Sequence, residues 1–200
     1  MHTVATGSWP TVWHRVVGEE STTAGEQRPV TRAEALAALA RQQAAWDDLV
    51  ARLGPDRLDL PGAMGAWTFK DLADHLTIWE QYELARLTAA LAGESEPAPP
   101  WPPELTEDDA RNAWMQARTA TRSGAVVLAE AHAIFDEVAA LVRQMPEEYL
   151  NSPASIPWVA GLALGPALVR GEWLQFSQHY QEEHAAEVEA WLAGLPAAGR

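Results

Sequence analysis

Apolar residues recur at three- and four-residue steps along four long stretches of the chain, a period that predicts helices. The first opens at Thr31, whose hydroxyl can cap the first turn while Glu34 reaches back to the cap amide, and it stops near Gly54-Pro55. Leu36, Leu39, Trp46, Val50 and Leu53 form its apolar side, with Gln43 interrupting the seam. The second starts at Thr68, again with an acid three residues on (Asp71), and runs to about Ala92 before Gly93. A proline-rich stretch from Glu94 to Pro103, with Trp101 inside it, cannot be helical and reads as a semi-rigid crossover.

The third helix opens at Thr106 with Asp109 as its box partner. It carries Trp114, Val127, Leu128, Ala131, Phe135, Val138, Val142 and Met145 as far as Pro146. Ser123-Gly124 is the point at which it can divide, since glycine costs about 1 kcal/mol relative to alanine inside a helix. Repeated prolines and glycines from Pro146 to Pro166 predict a long irregular connection. The fourth helix follows from about Leu168 to Ala193. Residues 1–30 show no sustained period and read as an N-terminal extension, although Trp9 and Trp13 suggest that it docks on the body. With no internal repeat and no convincing strand pair, the fold class is all-α, with up to four long helices in one domain over residues 31–196.

Composition then removes several kinds of function. The formal charge is -14 and Lys70 is the sole lysine, so the basic footprint that nucleic acid or an anionic membrane selects is missing. No apolar run is long enough to span a bilayer, and Met1 to Gly7 carry no leader pattern. The absence of cysteine leaves His, Asp, Glu and water as the available metal ligands and makes a reducing cytoplasm the default location. Phosphate-loop, dinucleotide and nucleophile-elbow patterns are absent.

What remains is a set of histidines. On helix two, Asp71, His75 and Trp79 follow one another at one-turn spacing, so a carboxylate, an imidazole and an indole share a strip, and the acid is placed to orient the ring. On helix four, Val169, Trp173, Phe176, Tyr180, Val188, Trp191 and Leu195 form one face, and His184 lies within it. His179 precedes His184 by five residues, which on a regular helix separates them by about 140°. A π-bulge between Tyr180 and Glu183 would realign them. Without one, Glu183 is the natural partner for His179 at i, i+4. His75 and Glu183 are the candidate acid–base groups, and His75, His179 and His184 the candidate metal ligands. Trp67, Trp79 and Tyr180 are candidates for the wall of a small-molecule pocket, although ten tryptophans are needed mostly to fill a core. Trp158 lies in another suspected segment, while His14 and His132 have no comparable company.

The run Gly65-Ala66-Trp67-Thr68-Phe69-Lys70-Asp71-Leu72-Ala73-Asp74-His75-Leu76-Thr77-Ile78-Trp79-Glu80 resembles the second-helix signature of the DinB-like superfamily, especially its ClbS/DfsB-like branch. His179-Tyr180-Gln181-Glu182-Glu183-His184 and the residues to Leu192 resemble the closing helix of that branch, and Asn112-Ala113-Trp114 with the preceding Pro-Trp-Pro also fits. The resemblance covers roughly residues 31–195. It implies a four-helix bundle in which one histidine of helix two and an HxxxH pair of the last helix hold a divalent metal, zinc or nickel. It further implies hydrolysis or thiol transfer on a reactive electrophilic metabolite, with a low-molecular-weight thiol as a co-substrate in some relatives. His75 matches the first ligand position. HYQEEH departs from the four-residue spacing, which keeps a metal-free, sequestering protein open beside the enzyme. Monomer and homodimer are equally compatible with the chain.

Overall fold

The structure, a computed structural model, describes residues 28–152 and 163–196. Trp9, Trp13, His14 and Trp158 lie outside the described residues. The chain folds into helices α1 (Arg32–Leu53), α2 (Phe69–Ala92), α3 (Asp108–Thr119), α4 (Gly124–Gln144), α5 (Glu147–Asn151), α6 (Leu164–Arg170) and α7 (Ala185–Gly194). A π-helix, π1 (Gln175–His184), leads directly into α7. The described part is therefore mostly helical, as the hydrophobic period predicts. None of its helices is long and apolar enough to cross a membrane.

Both expected capping boxes are present. Thr31 accepts from the Glu34 amide and Thr68 from the Asp71 amide, and each acid returns to the cap backbone. Gly93 closes α2 in the left-handed conformation. Ser123 caps α4, so the expected third helix is divided where glycine marks it. A Cβ on Gly124 would stand 2.7 Å from Leu58 Cδ1, so glycine there permits close packing as well as a break.

Four expectations need correction. First, Pro61–Met64 (β1) and Trp67–Thr68 (β2) form a short antiparallel hairpin where no strand pair is expected. Gly65 supplies the positive φ of 55° that a two-residue loop demands, and the strands are too short for an alternating signal. Second, the third helix starts at Asp108 with Glu107 as its cap. Arg111 donates to the carbonyls of Leu105 (3.0 Å) and Thr106 (2.6 Å), holding Thr106 outside the helix.

Third, α5 and α6 occupy the ends of the supposedly irregular Pro146–Pro166 stretch. Pro166 is tolerated because it lies in the first turn of α6, where its missing N–H has no intrahelical acceptor anyway. Fourth, the closing helix is not continuous from Leu168. Gly171, at φ 75°, ends α6 with its own amide on Leu168 O (3.2 Å) and that of Glu172 on Ala167 O (2.8 Å). The extrapolated stripe therefore loses its phase across Gly171, and Val169 is exposed while Trp173, Phe176, Tyr180 and Val188 are buried.

The core lies where α2 packs on α4, α1 on α4 and α6, and π1 on α2. Trp46 joins these layers, stacking on Phe69 at 5.5 Å and meeting Phe176 edge-on at 4.7 Å. The hairpin rests against α7, with Gly62 (φ 105°) so close to the Trp191 indole that a Cβ would lie 3.2 Å from it. Trp101 drops from the proline-rich crossover onto a smaller cluster with Ile78 and Met115. At the start of α1, Val30 and Asn151 exchange two hydrogen bonds of 2.8 and 2.9 Å, tying the entry of the described chain to α5.

Candidate metal centre

The Thr68 capping box fixes where α2 begins, and therefore which way His75, two turns in, is directed. Asp71 does not orient that ring. Its Oδ2 is taken by the Thr68 amide (2.9 Å) and hydroxyl (2.8 Å), because a carboxylate at the third helical position is drawn to the cap. His75 Nδ1 is consequently buried without a hydrogen-bond partner among the described residues.

On the opposite side, Phe176 and Tyr180 anchor π1 to the core through Trp46, with ring centroids at 4.7 and 6.2 Å. In a regular helix this anchoring would leave His179 and His184 about 140° apart. The i→i+5 bonding of a π-helix, seen where the Ala185 amide donates to Tyr180 O, lets residues five apart face one way. A whole π segment, wider than the bulge suggested between Tyr180 and Glu183, aligns the two histidines.

The result is a cluster of three imidazoles drawn from positions 104 residues apart. His75 Nε2 lies 3.2 Å from His179 Nε2, and His184 Nε2 lies 3.1 Å from the same atom. Donor atoms of all three fall within 4.8 Å of one another. Three nitrogens on a tetrahedral zinc, each bonded at about 2.0–2.1 Å, stand about 3.3 Å apart. The two spacings at His179 match that value, the remaining pair lies within 4.8 Å, and an all-imidazole donor set suits such an ion. His75 and His184 are buried and His179 is half-buried, so the group is enclosed on most sides.

Burial sets the electrostatics. Desolvation, with the neighbouring His179 and His184 as a further cause, drives the His75 pKa well below its ordinary value. Desolvation likewise lowers His179 to about 4, against a small opposing effect of Glu182. His184 falls to about 3 through desolvation and then His179, with the Glu183 backbone opposing. Near neutral pH the three rings are uncharged, which is the protonation state a metal requires.

The other expected residues are distributed unevenly. Trp67 meets the His75 ring edge-on at 5.5 Å and Trp79 does so at 6.4 Å, so both indoles border the cluster. Trp101 extends that wall, 4.5 Å from Trp79. Tyr180 is directed toward Trp46, on the core side of π1, and its hydroxyl is buried without a partner among the described residues. Glu183 is half-buried, its carboxyl raised by desolvation and then by Glu182, and the donor group comprises the three histidines without it. The π segment gives His179 the partner His184 in place of Glu183. Exposed His132 contacts Gln43 and Asp47 on the outer faces of α4 and α1.

Glu80 was not legible as a site residue, yet it is fully buried and its Oε2 accepts from the Gln175 amide at 2.7 Å. The signal was present: Leu76, Glu80, Glu83 and Leu87 continue one apolar stripe at three- and four-residue steps, with acids where leucines belong. The comparisons with known proteins return no match among family models, curated proteins or solved structures.

Proposed function

We propose that this chain is a DinB/ClbS-like four-helix bundle protein in which His75, His179 and His184 hold a divalent metal, zinc or nickel, and which acts on a small electrophilic organic molecule. The observation that carries this reading is the convergence of three imidazoles, with the Nε2 atoms of His75 and His184 at 3.2 and 3.1 Å from that of His179 and donor atoms of all three within 4.8 Å of one another, achieved through a π-helix. A metal held by three histidines supplies an open position at which water or a thiol is activated. The chain's own residues do the rest. Their burial keeps the imidazoles neutral, and the faces of Trp67 and Trp79 offer flat apolar contact to an organic substrate. Glu183, its carboxyl raised by burial, is the acid–base candidate nearest in sequence to His184.

Tag-free protein is expected to carry close to one ion per chain, or to acquire it on adding zinc or nickel, with His75→Ala abolishing binding. Metal far below that level, unimproved by either ion, refutes the centre. The bordering indoles also favour a second reading, in which the protein sequesters its ligand without turnover. A model epoxide separates the two. Ring opening by water gives a diol and by an added thiol gives a hydroxy-thioether, whereas a sequestering protein produces neither while still quenching indole emission.

A further inference from the structure

Of the two acids on the buried stripe of α2, Glu83 is paired with Arg86 at 3.0 Å. Glu80 pairs with no cation among the described residues. Its Oε2 accepts from the Gln175 amide, and its Oε1 is buried without a hydrogen-bond partner. Leucine would suit the stripe better, so packing alone does not account for a carboxyl there.

The bonded amide accounts for it. Gln175 is the first residue of π1, and the first amides of any helix lack an intrahelical acceptor. Leu174, at the cap position, has no side chain able to accept one. Glu80 therefore caps π1 from a neighbouring helix, at the end whose partial positive charge favours an oxygen acceptor. The register completes the picture. Glu80 lies five residues after His75 on α2, while Gln175 lies four before His179 on π1, so the two segments run antiparallel and the contacts 80–175 and 75–179 are successive rungs.

We infer that Glu80 is a positioning residue: by holding the Gln175 amide it fixes the rotation of π1 that turns His179 and His184 toward His75. Its importance for metal rests on the proposed function, but the clamp itself exists in the metal-free chain. Burial, partly opposed by the Gln175 amide, raises the Glu80 pKa to about 8, so near neutrality the side chain is mainly a neutral acid that glutamine imitates in shape and acceptor.

Three variants test this: Glu80→Leu, which fills the space without an acceptor; Glu80→Gln, which keeps one; and Val142→Ala, a buried α4 truncation matched for loss of thermal stability. Cobalt(II) is the metal probe, read by affinity and by its visible spectrum. Glu80→Leu is expected to weaken cobalt binding at least ~10-fold and to change the spectrum, as loss of outer-sphere support does. Glu80→Gln and Val142→Ala are expected to stay within ~3-fold of wild type with the spectrum unchanged. In metal-free protein, the amides of residues 180–185 are expected to exchange at least ~10-fold faster in Glu80→Leu than in wild type or Glu80→Gln, measured relative to α1. Equal cobalt affinity and spectrum in wild type and Glu80→Leu overturn the inference, and so do equal exchange rates. If wild type takes up no cobalt, the metal reading fails and the exchange ratio alone decides the clamp.

Discussion

Asp74 and His75 are neighbours on α2 and both are buried, but they belong to polar clusters built on opposite terms. Asp74 is satisfied on both oxygens: the Thr119 hydroxyl donates to Oδ2 at 2.6 Å, and Arg122 pairs with Oδ1 and with Glu130. That cluster ties α2 to the end of α3 and is closed. His75, one residue on, has an unpartnered Nδ1 and an Nε2 facing another imidazole. Unpartnered buried atoms also occur at His184 Nδ1 and Glu80 Oε1 on the same two segments, and elsewhere among the described residues at Arg32 Nε, Gln42 Oε1, Trp173 Nε1 and Tyr180 OH. Folding alone favours the first kind of cluster, because an unmet buried polar group costs about 1–3 kcal/mol. The second kind is the signature of a site whose geometry answers to something other than stability.

The sharpest way to break this contrast is to remove one partner on each side. Asp74→Ala takes the Oδ2 acceptor from the Thr119 hydroxyl and leaves Arg122 with Glu130 as its remaining carboxylate, and is expected to cost about 2–3 kcal/mol in urea unfolding, a large part of a typical total. His75→Leu, in chelator-treated protein, is expected to change stability by less than about 1.5 kcal/mol, since it removes an imidazole with little to lose. Comparable losses would erase the distinction. Next in size, zinc at about a hundredfold excess over its Kd is expected to stabilise wild type by about 2.7 kcal/mol and leave His179→Ala unmoved, as thermal melts would show.

Titration separates the seam further. The folded-state pKa values of His179 and His184 are depressed, to about 4 and about 3, so the metal-free protein holds their contribution above the unfolded value near 6.5 and loses it as pH falls through 4 and 3. Glu80 behaves in the opposite sense. Its pKa is raised to about 8, so its contribution is complete below about 4.5 and is lost as pH rises through 8. Melts across pH are expected to show Glu80→Gln removing the fall in stability between about pH 4.5 and 8, and His179→Ala reducing the loss as pH falls from about 6.5 to 4. The smallest expected effect comes from deleting Gln181, which restores the four-residue spacing. If π1 is a one-residue insertion, the deletion is expected to shift stability by less than about 1 kcal/mol, while deleting Ala40 from α1 unfolds the chain, as circular dichroism would report.

Local chemistry was the readable part of this chain. Thr31 with Glu34, Thr68 with Asp71, Gly93 and Ser123-Gly124 act within a few residues, and each ends or begins a helix where the sequence places it. The hairpin at Pro61–Thr68 was hidden because its pairing spans too few residues to alternate. The phase of the last segment was hidden for another reason. Gly171 interrupts it and π1 rewinds it, so 100° per residue places His184 correctly among buried Trp173, Phe176, Tyr180 and Val188 but puts exposed Val169 on the same face and sets His179 about 140° from His184. That the three histidines belong together follows from a bundle bringing the second and last helices side by side, while regular helical spacing alone favours Glu183 as the partner of His179. Asp71 was misread because a capping acid and a ring-orienting acid occupy the same position in sequence, and the nearer amide wins.

The passage of Gly62 beneath the Trp191 indole gives the hairpin a reach beyond its length. It fastens the far end of the segment that Glu80 fastens at the near end, suspending the two downstream histidines between a pair of anchors. A methyl group at Gly62 would sit at a φ of 105° that side chains rarely adopt and 3.2 Å from the Trp191 indole, so it would loosen the hold of the hairpin on α7.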